Sequence, residues 1–119
     1  MSLTIYHNPA CSKSRKTLQI IEEKAIKPEI IEYLKTPPDS NTVIRLAALL
    51  GKPVDEILRH HESDYAALVE AAGTTDDAAL AAGLSSHPKA LERPIVVSAG
   101  GDRAVIGRPP ENVLELIDG

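Results

Sequence analysis

The spacing of apolar and polar positions divides this chain of 119 residues into short strands and amphipathic helices. Leu3-Thr4-Ile5-Tyr6 is a short, mostly apolar run closed by His7-Asn8-Pro9, and it reads as a strand. Leu18, Ile21 and Ala25 then recur at helical spacing, with Ser12 or Ser14 as candidate N-caps and Pro28 as the stop. Glu29 to Leu34, carrying Ile30, Ile31 and Tyr33, is a second strand ended by Thr36-Pro37-Pro38. Asp39-Ser40 signals a cap for a helix whose apolar stripe is Val43, Leu46, Ala47 and Leu50 and which Gly51 closes. Pro53 opens a shorter turn or helix through Leu58, and Tyr65–Ala72 and Asp76–Leu84 read as Ala-rich helices separated by Gly73. Ile95-Val96-Val97 and Ala104-Val105-Ile106 flank the turn residues Ser98 to Asp102 as a hairpin. Pro109-Pro110-Glu111 opens a last helix with Val113, Leu114 and Ile117 inward.

A helical crossover between the first two strands makes them parallel, whereas the hairpin is antiparallel. The pattern therefore predicts an α/β fold. It is thioredoxin-like: a four-stranded mixed sheet in the order βαβ…ββα, with a helical insertion between strands 2 and 3 at about residues 39–91. Residues 39–86 of that insertion read as wholly helical. No repeat, low-complexity tract or linker interrupts the sequence, so residues 1–119 are expected to form a single domain.

Composition changes this picture in two ways. The only aromatic residues are Tyr6, Tyr33 and Tyr65, so the core is aliphatic and stacking platforms for single-stranded nucleic acid are lacking. The net charge is −4, which disfavours a phosphate-tracking duplex binder; no nucleic-acid partner is expected. The charge is also uneven. Residues 1–21 contain Lys13, Arg15 and Lys16 and no acid, whereas the remainder carries 10 basic against 17 acidic residues. The sequence shows no signal core and no run of about 18 apolar residues, so a cytoplasmic location without membrane association is the expectation.

The acid-free stretch holds the chain's only cysteine, Cys11, at the seam between the first strand and helix. The orphan N–H groups of a helix start and the nearby cations both favour a thiolate, the nucleophilic form. Cys11-Ser12-Lys13-Ser14 is a C-x-x-C pattern with Ser14 in place of the second cysteine. A disulfide cycle therefore needs an outside thiol, such as glutathione or another protein. Ser14 can also cap the helix or donate to the sulfur. A cysteine phosphatase is excluded, because C-x5-R would need arginine where Thr17 stands. His7, His60, His61 and His87 have no metal-binding spacing with Cys11, so no metal is expected. Arg93 and Arg108 each precede a proline beside a strand. Arginine suits tetrahedral oxyanions, yet spacing alone leaves each arginine open to being a solvated surface charge. His7 is open to a role in the site or in holding the loop, and Asn8-Pro9 is a turn signal first.

His7-Asn8-Pro9-Ala10-Cys11-Ser12-Lys13-Ser14-Arg15 resembles the active-site signature of the ArsC family of glutaredoxin-linked arsenate reductases. Tyr33-Leu34-Lys35-Thr36-Pro37-Pro38, Glu92-Arg93-Pro94-Ile95-Val96-Val97 and Gly107-Arg108-Pro109-Pro110-Glu111 resemble three further landmarks of that family, in order, across residues 3–117. The resemblance implies a thioredoxin-like arsenate reductase with Cys11 as nucleophile and Arg59, Arg93 and Arg108 as oxyanion ligands. His7, Ser14 and Arg15 would support the site. It implies arsenate as substrate, no bound cofactor, glutathione as co-substrate, glutaredoxin as partner, and a cis Arg93-Pro94 bond. The sequence departs from the family pattern at Ser12, where arsenate-reducing members often have Gly, at His60-His61, and in ending at Gly119 without the C-terminal tail of classical members. Two other readings keep the fold. One is a glutathione-linked thiol oxidoreductase without arsenate activity. The other is a transcriptional regulator binding RNA polymerase, whose usual C-x-x-C switch Ser14 removes.

Overall fold

A computed structural model describes residues 3–117. Its strands are β1 (Thr4–His7), β2 (Glu29–Glu32), β3 (Ile95–Val97) and β4 (Ala104–Ile106). Its α-helices are α1 (Ser12–Glu23), α2 (Ser40–Leu50), α3 (Ser63–Ala72), α4 (Asp77–Gly83) and α5 (Leu114–Ile117). Contacts group the chain into two compact units, one running to Tyr33 and resuming at Arg93, the other being Leu34–Glu92.

The first unit contains the expected mixed sheet, in the order β2-β1-β3-β4. β1 pairs parallel with β2 and antiparallel with β3, and β3 pairs antiparallel with β4. The register decides what comes together. Tyr6 lies opposite Ile95, and Ile95 lies opposite Ile106. The end of β1, the start of β3 and the end of β4 therefore share one end of the sheet. Residues 8–11, 93–94 and 107–108 leave the sheet there.

Burial of one aliphatic face holds this unit together. Leu3, Ile5, Ile20, Ile21, Val96 and Val113 form its core, flanked by the partly buried Leu18, Ile26, Val105, Leu114, Leu116 and Ile117. Each fully buried side chain of this kind contributes roughly 1.5–3 kcal/mol. Helix α1 turns Ser14, Thr17, Ile20 and Ile21 inward, at three- and four-residue spacing. β2 is an edge strand two residues shorter than expected, and its Ile30 is 45% exposed. The last helix starts as a 3-10 turn, Pro110–Val113, before α5.

Two expectations about α1 are corrected. Its N-cap is Cys11, not Ser12 or Ser14. Its apolar face stops before Ala25, which is exposed and has φ 59°. The helix ends in a Schellman motif: Ala25 N–H donates to Glu22 O at 3.0 Å and Ile26 N–H to Ile21 O at 3.4 Å. Ile26 and Ile21 also share the core, the hydrophobic contact that accompanies this motif. Alanine thus occupies the left-handed position that usually takes glycine, which is why the helical spacing overran the true end.

The second unit is mostly helical. Residues 39–86 are not wholly so, against the expectation from the sequence: Leu58 pairs with Leu91 in an isolated antiparallel bridge, and His60-His61 lie in a turn. Asp39 caps α2 by accepting from Thr42 N–H at 2.8 Å, and Gly51 ends it at φ 68°. A 3-10 turn, Val54–Ile57, follows; two more, Leu84–Ser86 and Pro88–Ala90, lead out of α4. α4 packs on α2 and α3, and the unit buries Val43, Leu46, Val54, Leu68, Leu80 and Leu84. Among the described residues, no helix is long and apolar enough to cross a membrane.

Candidate active site

The loop leaving β1 is wound tightly around its own polar groups. Cys11 N–H donates to Asn8 O at 3.0 Å and Ala10 N–H to Asn8 Oδ1 at 3.0 Å, the turn that Asn-Pro signals. Arg15 Nη1 donates to Pro9 O at 2.9 Å, so this arginine ties α1 back to the loop. The Ser14 hydroxyl is fully buried, accepts from Asn8 N–H at 3.0 Å and shares a 2.6 Å hydrogen bond with His7 Nδ1. His7 itself is buried, and burial is the chief reason its pKa falls below the ordinary histidine value. Arg15 pushes it the same way, against the opposing fields of Glu32 and Glu22. His7 therefore acts here as a neutral anchor of the loop.

These contacts fix Cys11 at the N-cap of α1. Its side chain is 9% exposed. Burial alone pushes the thiol pKa up, but hydrogen bonds from the Ser14 N–H, the Arg93 side chain and the Lys13 N–H outweigh it, and the charge of Arg93 adds to them. The net shift is downward, toward the thiolate. Ser14 thus reaches the sulfur through its backbone, while its hydroxyl serves His7 and Asn8.

Arg93 and Arg108 arrive from the two neighbouring strands. Arg108 Nη2 lies 3.7 Å from Cys11 Sγ, and its Nε donates to Arg93 O at 2.9 Å. One guanidinium therefore spans the sulfur and the backbone of the other arginine. The Arg93-Pro94 bond is cis, as expected, and so is Arg108-Pro109. Gly107 permits the approach. Its N–H donates to Pro94 O at 2.9 Å, and a Cβ there would lie 2.5 Å from Thr17 Oγ1 and 2.8 Å from Pro94 Cγ. The helix-start N–H groups expected at the sulfur are those of Ser14 and Lys13. The Gly107 contact did not emerge from the sequence, although Gly immediately before Arg-Pro was its available signal.

Arg59 belongs to the second unit. Its backbone N–H donates to Ala90 O at 2.7 Å, beside an antiparallel bridge between Leu58 and Leu91. Its guanidinium faces Glu62 at 3.4 Å and Glu92 at 3.7 Å. His60 stacks on Tyr65, with ring centroids 4.3 Å apart, and bonds Asp55 O at 2.8 Å; Tyr65 donates to Asp55 Oδ1 at 2.6 Å. That local cluster gives His60 a structural task. Among the described residues, no group of three or more His, Cys, Asp or Glu side chains could hold a metal ion.

A buried, thiolate-favouring cysteine under two arginines can attack an electrophilic oxyanion centre and stabilise the charge that develops. Residues 6–116 match the model of the ArsC family. The chain belongs to that family. It is 45% identical over 114 residues to the uncharacterized protein YfgD of Escherichia coli, covering 95% of this chain and 94% of that one. It is 42% identical over 118 residues to the arsenate reductase of Haemophilus influenzae, covering 98% and 100%. Among solved structures it is similar to the arsenate reductase from Vibrio cholerae, with a TM-score of 0.86 and 46% identity over 98% of each chain.

Proposed function

We propose that this chain reduces arsenate to arsenite, with Cys11 as the nucleophile. The observation that supports the reading most is the sulfur itself, set at a helix start with Arg93 and Arg108 on it. The names of the relatives that it matches over nearly their full length support the substrate. In the first step the Cys11 thiolate attacks As(V), forming an S–As bond, and one arsenate oxygen leaves as water after protonation. Arg93 and Arg108 hold the remaining oxygens and offset their growing charge. Glutathione then brings two electrons. Its sulfur joins Cys11 in a mixed disulfide as the S–As bond breaks, and arsenic leaves as As(III), arsenite. Glutaredoxin, carrying a second glutathione equivalent, reduces that disulfide and regenerates the thiolate. The sum is one arsenate and two glutathiones giving arsenite, glutathione disulfide and water. Ser14 in place of a second cysteine is the reason an external thiol is needed.

The test is arsenite formation from arsenate with glutathione and glutaredoxin. Cys11→Ser should abolish it, and Arg93→Ala should slow the chemical step by about 2–4 kcal/mol, the size of a lost oxyanion donor. Activity surviving Cys11→Ser would falsify the mechanism. Reduction of a glutathionylated peptide by a wild-type protein that leaves arsenate untouched would move the substrate to a thiol disulfide on the same site.

A further inference from the structure

Three cations stand at the start of α1, where a helix gains least from them. Lys13 and Arg15 lie in its first turn, Lys16 follows, and that turn holds no acid. The N-terminal end of a helix is electropositive and favours carboxylates, and like charges three or four residues apart repel. Arg15 has a task in the fold, because its Nη1 donates to Pro9 O at 2.9 Å. Lys13 and Lys16 have no such contact. Both are exposed, and among the described residues neither side chain forms an ion pair. Local rules broken without a compensating contact point to function.

We infer that Lys13 and Lys16 raise the local concentration of anionic electrophiles at Cys11, without holding any of them in a fixed contact; the inference rests on the function proposed above only for its natural substrate. The molecule as a whole carries −4 and repels an anion at long range. Residues 1–21 invert that sign locally, with Lys13, Arg15 and Lys16 and no acid. Lys13 is two residues from Cys11, and Lys16 lies one turn further along the same helix. Both line an open groove whose other wall, Pro109-Pro110-Glu111, directly follows Arg108; Glu111 is the one acid among its lining residues. Arg93 and Arg108 meet the sulfur itself. The lysines act earlier, on an anion still in water. At low ionic strength, two unit charges about 10 Å away enrich a monoanion about threefold and a dianion about eightfold. Arsenate, largely a dianion in mildly alkaline solution, gains the most. At about 1 M salt the Debye length falls to about 3 Å and the enrichment vanishes.

Alkylation of Cys11 tests this without arsenate. Iodoacetate is an anion and iodoacetamide its neutral analogue, so the ratio of their rate constants cancels any change in the thiolate fraction. Lys13→Gln/Lys16→Gln should lower that ratio about threefold at about 10 mM salt and leave it unchanged at about 1 M. Lys13→Arg/Lys16→Arg keeps both charges and should keep the wild-type ratio. For arsenate, kcat/KM of the glutamine pair should fall about eightfold at low salt. The glutamine pair should also unfold at a higher urea concentration than wild type, since the helix start loses a misplaced cation and a like-charge repulsion. A ratio that the glutamine pair leaves unchanged at low salt, that the arginine pair lowers equally, or that is insensitive to salt in the wild type overturns the inference. A lower urea midpoint in the glutamine pair would give the lysines a structural task and overturn it too. A wild-type protein that turns over no arsenate removes the substrate proposed above, and the alkylation ratio still decides the role of the lysines.

Discussion

Gly107→Ala tests whether the approach of β4 to α1 and β3 sets the site. The backbone at Gly107 lies outside the left-handed region, so alanine brings no conformational strain and the effect isolates crowding. The new methyl would sit 2.5 Å from Thr17 Oγ1, 2.8 Å from Pro94 Cγ and 3.2 Å from Thr17 Cγ2. Neither neighbour yields easily. Thr17 is fully buried in α1 with its hydroxyl donating to Lys13 O at 2.8 Å, and Pro94 is a buried ring. Overpacking of this kind costs about 2–3 kcal/mol. For a chain of this size that is a fall in Tm of roughly 6–15 °C. The assay is urea unfolding, with Thr17→Ala as the second arm. Thr17→Ala alone loses a buried hydrogen bond and a methyl, about 1–2 kcal/mol. The double variant should be more stable than the sum of the singles by at least about 1 kcal/mol, because the Thr17 side chain is the closest obstacle. Arsenate turnover should fall with stability held above its threshold, since Arg108 moves with residue 107. A Gly107→Ala protein within about 0.5 kcal/mol of wild type, or strict additivity with Thr17→Ala, would refute the packing argument.

Other predictions follow from the site and the helix ends. Ala25→Gly should stabilise the protein by about 1 kcal/mol, since it relieves a left-handed alanine without losing buried surface, and unfolding midpoints check it. Arg93→Ala should raise the pH at which Cys11 becomes alkylated by iodoacetamide, because a hydrogen bond and a charge that favour the thiolate are lost; an unchanged profile would contradict that cause. Cys11 has a folded pKa below its unfolded value, so the thiolate stabilises the fold at alkaline pH and this contribution is lost as pH falls through the folded pKa. The stability advantage of wild type over Cys11→Ser should therefore widen from pH 5 to about pH 9, and a gap that is flat with pH would refute the shift.

The elements were legible where periodicity and punctuation agree. Gly51, Gly73 and the Ser98 to Asp102 turn each mark a boundary that the fold respects within a residue or two. The end of α1 was not legible, because a Schellman motif with Ala25 in its left-handed position looks like one more helical turn. In the site, Cys11 was legible from its place between β1 and α1. The arginines were less so. Arg93 and Arg108 meet the sulfur through strand register, which is a property of pairing across some ninety residues and leaves no local trace. The Ser14 hydroxyl was read as a cap or a donor to the sulfur. Its actual partners, His7 and the Asn8 N–H, depend on how β1 ends and the loop turns back.

The sheet that carries the cysteine is assembled from both ends of the chain, with residues 34–92 between them. On a ribosome, β1, Cys11 and α1 emerge early, and the central helical unit is complete before Arg93 has been made. Domains fold as units during synthesis, so the central unit is free to settle while β1 has only β2 to pair with. Residues 93–108, made after that unit, close β3 and β4 onto β1 and deliver both arginines to the sulfur. Until residues 93–108 join the sheet, Cys11 has the backbone donors of its own helix but neither the hydrogen bond and charge of Arg93 nor the contact with Arg108.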